Sequence, residues 1–372
     1  MGPVPNFFIT VPLPNPTSTK VVYASLAKTV DNDPDRGGHG ETHGPLFVGA
    51  ALMAQAYLTA ETIDDLMRYV VEEIKSNGVR IHPTKGKATE VTGVLIELTN
   101  PRARLSRTET RGKPYSCLGE LFWYLAKTSA LDFIAYYIRQ YKGFADGNEI
   151  FGGYGPRLFD WKGINQLANV SALLKKNPDS RKAVIQLFDA NDIVEKHKDV
   201  PCTCTVQFMI RSEKMHMFTN MRSNDVFLGL AHDIFCFTMI QEIMARSLAV
   251  ELGTYKHAVG SLHLYDKNMA SANAFLDEGW QSTEAPMPPM PKGDPWPSIE
   301  FVLHAESEIR TTGVFDQATL DEVDPYWADL IRLLYVFRCK KDSDTNTIKA
   351  LRGSMSSKVY LPFIDKVLSS LT

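Results

Sequence analysis

Cys202 and the pair Arg222-Ser223 are the residues best suited by type and spacing to do chemistry together. Cys202 follows Pro201 at the mouth of one alternating apolar run, and Arg222, Ser223 and Asp225 close the next. A guanidinium beside a thiol favours the nucleophilic thiolate. An arginine next to a serine hydroxyl suits an anion such as phosphate. The stretch VPCTCTVQFMIRSEKMHMFTNMRSNDVFLGLAHD therefore reads as strand, turn, strand and loop. It should lead into a long helix from Ile234 to Leu252, stopped by Gly253. On this reading Cys202 attacks an electrophile while Arg222 and Ser223 hold an anion beside it.

Further candidates lie on either side. Lys85 and Lys87 flank Gly86 in a polar loop suited to an anion or to plain solvation. Glu120 opens the apolar run 119–143, read as one or two buried helices, either as a first-turn residue or as a buried functional carboxylate. Tyr154 and Arg157 stand in a Gly-rich segment, 144–161, that does not match a phosphate-binding loop. Arg181 and Lys182 precede an expected strand over 183–188, a position common for a solvated edge. His263 and Tyr265 are two apart, so on a strand both point to one face and reach one ligand. No metal site is expected. Cys202 and Cys204 lack a second ligand pair at zinc spacing, and His39 and His43 lie in a polar Gly-rich loop.

The elements that must position these residues are visible in outline. A chain of 372 residues is ample for a large core. Ile63, Leu66, Met67, Val70, Val71 and Ile74 mark a helix begun by Thr62 and stopped by Gly78. The Pro-rich stretch 285–297 reads as a stiff connector, 297–310 as a strand, and the residues from about 324 as amphipathic helices. A net charge of −3 gives no basic field for nucleic acid or a membrane surface. No apolar run approaches the ~20 residues of a membrane-spanning helix, and the start is too broken by proline for a signal peptide. Five cysteines without a secreted-framework spacing suit a reducing, cytoplasmic setting.

Taken together, residues from about 80 to 275 resemble the thymidylate synthase superfamily. Pro201-Cys202 with Gln207-Phe208 is similar to its nucleophile strand, and Arg222-Ser223-x-Asp225-x-x-Leu228-Gly229 to its phosphate and pyrimidine segment. His263-x-Tyr265 is similar to its sugar-binding pair, and Asn177–Arg181 to its cross-subunit phosphate loop. Glu120 falls at its catalytic glutamate and Tyr154 at its proton-handling tyrosine. The resemblance implies an α/β (α+β) three-layer fold around a large mixed sheet over residues 81–310, with additions at 1–80 and 311–372. It implies a homodimer in which Arg181 and Lys182 reach the partner's phosphate site, with Lys85 replacing the usual arginine. It also implies 5,10-methylenetetrahydrofolate as co-substrate, met by Tyr141, Phe144, Asp225 and Gly229. Cys202 would add to C6 of a pyrimidine nucleotide, dividing a difficult substitution at C5 into easier steps.

Two departures bear on the reaction. Synthases carry asparagine where this chain has Asp233, and the amide complements uracil's O4 and N3–H. An ionised aspartate only accepts, and so suits cytosine's amino group. The alternative for Asp233 is a cap on the helix expected from Ile234. Tyr141 and Phe144 stand where synthases place tryptophans, and the chain ends in KVLSSLT instead of a short apolar tail that closes over folate. Water would then capture the one-carbon unit as hydroxymethyl, as in the family's deoxycytidylate hydroxymethylase branch, which also carries aspartate there. The expected reaction converts dCMP to 5-hydroxymethyl-dCMP. Alternatives are the CMP reaction, methylation of a uracil nucleotide, and a non-catalytic nucleotide-binding relative.

Overall fold

The computed structural model describes residues 56–371 and, ahead of them, strands β1 (Phe8–Pro12) and β2 (Thr19–Tyr23). His39 and His43 lie outside the described residues. Along the chain follow β3 (Ala56–Ala60), α1 (Ile63–Asn77), β4 (Val79–Ile81), β5 (Ala88–Leu98), α2 (Pro114–Leu125), α3 (Leu131–Tyr137), α4 (Tyr154–Phe159) and α5 (Gln166–Lys176). Then come β6 (Val184–Gln186), β7 (Thr203–Arg211), β8 (Lys214–Asp225), α6 (Leu230–Ser247), β9 (Glu251–Tyr265) and α7 (Met269–Asp277). The chain closes with α8 (Trp296–Thr312), α9 (Pro325–Asp342), α10 (Thr345–Gly353) and α11 (Leu361–Ser369). The strands form one mixed sheet in the order β1-β2-β3-β5-β9-β8-β7-β6, with β4 paired to β5. This is the mixed α/β architecture expected of the chain.

Local chemistry explains the elements. Thr62 caps α1 by accepting the Asp65 N–H at 3.1 Å, and Leu66, Met67, Val70, Val71 and Ile74 are fully buried. β7 and β8 alternate buried and half-buried residues. They are joined by Ser212 and Glu213, both at positive φ (50° and 60°), as a tight hairpin turn requires. The register of β7 slips between Thr203 and Thr205, directly after Cys202, and such bulges re-aim side chains beside active sites.

Three expected elements differ from those observed. The long helix begins at Leu230 and ends at Ser247, because Leu230, Ala231, Ile234 and Phe235 all turn inward and Gly229 is its cap. Gly253 lies instead in β9, where a Cβ would come within 2.8 Å of the His216 ring. Residues 297–310 are helical, not extended: Ile299, Val302, Ala305 and Ile309 are buried at three- and four-residue spacing, and Gly313 ends α8 in the left-handed conformation (φ 76°). Glu120 sits in the second turn of α2, so a first-turn dipole role does not apply.

The terminal helices belong to the same hydrophobic core as the sheet. α9 packs on α2 and α8, and the Tyr326 hydroxyl lies 3.7 Å from Met239 Sδ of α6. α4, which begins at Tyr154, is tied down by Arg157. Its guanidinium donates to both carboxylate oxygens of Asp192 at 2.8 Å and to the Leu187 carbonyl at 2.7 Å, with both side chains almost wholly buried. Removing one partner of a buried bidentate pair strands the other charge. Asp192→Ala should therefore lower unfolding free energy by about 3–5 kcal/mol, read from urea denaturation.

Candidate active site

The sheet brings its chemistry to one end. β8 and β9 run parallel with Asp225 opposite His263, and β7 runs antiparallel, so its start lies beside the end of β8. The Arg222 N–H donates to the Cys202 carbonyl at 2.9 Å and locks the two strands together there. Around this end lies a cavity of about 800 Å³. Of the residues singled out from the sequence, Lys85, Glu120, Tyr141, Phe144, Tyr154, Cys202, Arg222, Ser223, Asp225, Gly229, Asp233, His263 and Tyr265 line it. Arg181, Lys182 and Gln207 do not. Arg181 and Lys182 are exposed just ahead of β6, and Gln207 donates to the Arg181 carbonyl at 3.0 Å.

Arg222 is fixed by its own contacts. Nε donates to the Pro201 carbonyl at 2.9 Å and Nη2 to the Val200 carbonyl at 3.0 Å, which leaves Nη2 3.7 Å from Cys202 Sγ. The charge lowers the thiol's pKa as expected, but it does not win. Desolvation dominates, Asp199 and Asp233 add to it, and the thiol is pushed up to about 11. Near neutral pH the resting protein therefore holds a protonated thiol. Asp199 was not among the sequence candidates. It lies in the cavity wall 3.7 Å from Lys85 Nζ, and that ammonium also stands 4.1 Å over the Phe144 ring.

Two carboxyls face the same space. Glu120 Oε1 accepts from the Tyr124 hydroxyl at 2.9 Å and the Tyr141 hydroxyl at 2.6 Å, which leaves Oε2 free of both. Burial raises its pKa against those two hydrogen bonds. Tyr141 is thus the glutamate's partner as well as a cavity wall. Asp233 is held by Asn224, whose Nδ2 donates to Oδ2 at 2.6 Å. Burial, with the charges of Glu120 and Asp225 nearby, drives Asp233 well above the usual carboxylate range and favours the neutral acid. It makes no helix-capping bond. Tyr154 accepts from the Thr203 N–H and hydroxyl at 3.1 and 2.9 Å, one residue past Cys202.

Asp225, His263 and Tyr265 are equally constrained. Asp225 Oδ1 accepts the Phe227 and Leu228 N–H groups at 2.8 and 2.9 Å, shaping the turn into α6. His263 and Tyr265 meet edge to face at 4.9 Å. The cavity wall also carries Arg111, Lys113, Ser116 and His232, none expected from the sequence. Arg111 is 3% exposed and its Nε and Nη2 have no hydrogen-bond partner, while its guanidinium lies 4.9 Å over the Phe227 ring. The His232 ring, 2.9 Å from the Ser116 hydroxyl, is kept neutral with a pKa pushed down to about 3 by burial and by those two cations.

Residues 62–290 match the thymidylate synthase family. The chain belongs to that family. It is also similar to the deoxyuridylate hydroxymethyltransferase of Bacillus phage SP01, 31% identical over 216 residues, covering 54% of this chain and 55% of that protein. A second relative is the deoxyuridylate hydroxymethyltransferase of Pseudomonas phage M6, 28% identical over 187 residues, 48% of this chain and 53% of that protein. The chain spans about half the length of these curated relatives. Among the described residues no helix is long and apolar enough to cross a membrane, and no group of three metal-type ligands forms.

The thiol makes a direct prediction. Its thiolate fraction grows as pH rises through the pKa, so a raised value means slow alkylation near neutrality. The iodoacetamide rate at Cys202, followed by mass spectrometry, should climb with pH toward a midpoint of about 11. Asp199→Asn removes a like charge and should shift that midpoint down, speeding alkylation at any pH below it.

Proposed function

We propose that the protein transfers a one-carbon unit as a hydroxymethyl group to C5 of a pyrimidine deoxynucleoside monophosphate. The observation that carries this reading is Cys202 Sγ, 3.7 Å from Arg222, in one cavity with the carboxyls of Glu120 and Asp233. Arg222, Ser223 and Lys85 would bind the 5′-phosphate, and His263 and Tyr265 the sugar hydroxyl. Phosphate contacts hold the ring so that the sulfur approaches C6. Adding sulfur at C6 makes C5 the carbon nucleophile, and the later loss of sulfur restores the ring. Glu120, steadied through Oε1, keeps Oε2 for moving a proton at the base or at an attacking water.

The cavity also suits a folate co-substrate. Tyr141, Phe144 and Leu228 supply apolar wall, and the unpartnered N–H groups of Arg111, with Lys113 beside them, suit an acidic tail. 5,10-Methylenetetrahydrofolate would supply the carbon. The balance is dCMP, methylenetetrahydrofolate and water giving 5-hydroxymethyl-dCMP and tetrahydrofolate. Hydroxymethylation rather than methylation is supported by the names of the two phage relatives. It is also supported by tyrosine hydroxyls, not an all-apolar wall, next to Glu120.

For the base we favour cytosine. A neutral Asp233 donates to cytosine N3 and accepts from its amino group, and protonating N3 helps the sulfur add at C6. The second reading is dUMP, favoured by the relatives' printed substrate and by the same neutral carboxyl, which also complements O4 and N3–H. The assembly follows the same logic. Arg181 and Lys182 do not line their own chain's cavity, and the sheet's outer face carries Met209, Phe218 and Ala258 half-buried. A second copy packed on that face would bring the two cations to its partner's phosphate.

Mass spectrometry of products from dCMP, CMP and dUMP with methylenetetrahydrofolate tests the reaction. The nucleotide should gain the elements of formaldehyde; gain of methylene alone would mean a methylating enzyme. Cys202→Ala should bring tritium release from C5 to background. Asp233→Asn should move the kcat/KM ratio about tenfold toward uracil, the worth of one mispaired polar group in a buried site. An unchanged ratio would contradict the role given to Asp233.

A further inference from the structure

Asn224 lies between Ser223 and Asp225 on β8, opposite Leu262 of β9, and is 3% exposed. It lines the cavity with Asp233 and donates to Asp233 Oδ2 at 2.6 Å, while its own Oδ1 is buried without a partner. Gly229 leaves the space for this contact. A Cβ there would come 3.2 Å from Asp233 Oδ2 and 3.3 Å from Asn224 Nδ2, tight enough to push the pair apart.

A neutral carboxyl is ambidextrous. Its proton can sit on either oxygen, so alone it matches the acceptor–donor edge of cytosine and the donor–acceptor edge of uracil equally well. A donated N–H breaks that symmetry, because the oxygen that accepts it is the poorer place for the proton. We propose that Asn224 is a positioning residue that fixes the order in which Asp233 presents its two oxygens to the base, and so sets the choice between cytosine and uracil. The orphaned Asn224 Oδ1 gives the direction. An unpaired buried acceptor is costly, and cytosine's amino group carries a second N–H to satisfy it, whereas uracil's O4 carries none. The inference rests on reading the cavity as a pyrimidine nucleotide site with Asp233 at the base edge.

The test is calorimetric binding of dCMP and dUMP to the full chain and to Asn224→Ala, with Asn224→Ser carrying the same test if the alanine variant does not fold. The ratio of the two dissociation constants should fall about tenfold toward unity. The infrared carbonyl band of Asp233, assigned by difference with Asp233→Asn, should shift in the same variants. Equal weakening of both nucleotides with an unmoved band would overturn the inference. A wild-type preference for dUMP that still collapses would keep the role of Asn224 and reverse the base. Binding of both nucleotides without hydroxymethyl product would sink the proposed reaction while the ratio still decides this one. Binding of neither would sink both.

Discussion

The site depends on the parallel pairing of β8 with β9 beside the antiparallel start of β7. Parallel neighbours end at the same edge of a sheet, and an antiparallel neighbour starts there. That geometry places Arg222, Ser223 and Asp225 next to His263 and Tyr265, with Cys202 one strand further. The bulge after Cys202 and the Arg222 N–H to its carbonyl then hold the thiol at the mouth. Loops alone could bring these residues near one another, but not hold them in one relative orientation.

Burial controls the charge state of nearly everything inside. The Cys202 thiol, Glu120 and Asp233 all lie above their ordinary pKa values because water is scarce around them, and Arg222 beside the thiol and the hydrogen bonds to the two carboxyls only partly offset this. Burial thus shifts all three groups toward their uncharged forms. It also makes each hydrogen bond more consequential, since a mispaired polar group has no solvent to turn to.

Much of this was legible in the amino-acid pattern, and the failures have physical causes. The hairpin of β7 and β8 showed through strict alternation, and α1 through its apolar spacing and Thr62 cap. The helix α8 was hidden by Phe301-Val302-Leu303, a β-like run whose neighbours turn out to lie on one helical face. The start of α6 was hidden by Gly229, which reads as loop but serves as the cap. The thiol was misjudged because adjacency to Arg222 is visible in a sequence while the walls that dehydrate it are not. Asn224 went unnoticed beside Ser223 and Asp225 because its burial and its hydrogen bond to Asp233 are made only by the fold. Asp199, Tyr124 and Arg111 come from separate segments that only the fold brings into one cavity.

The central claim is that Cys202 sulfur and the Asp233 carboxyl grip one pyrimidine ring from two sides. A crystal structure of the protein with a bound pyrimidine nucleotide tests it most directly. The account predicts Sγ within about 3–3.5 Å of C6, or bonded to it, with Asp233 hydrogen-bonded across N3 and the C4 substituent. A ring seated with Sγ out of reach of C6, or with Asp233 turned from the base edge, would contradict it.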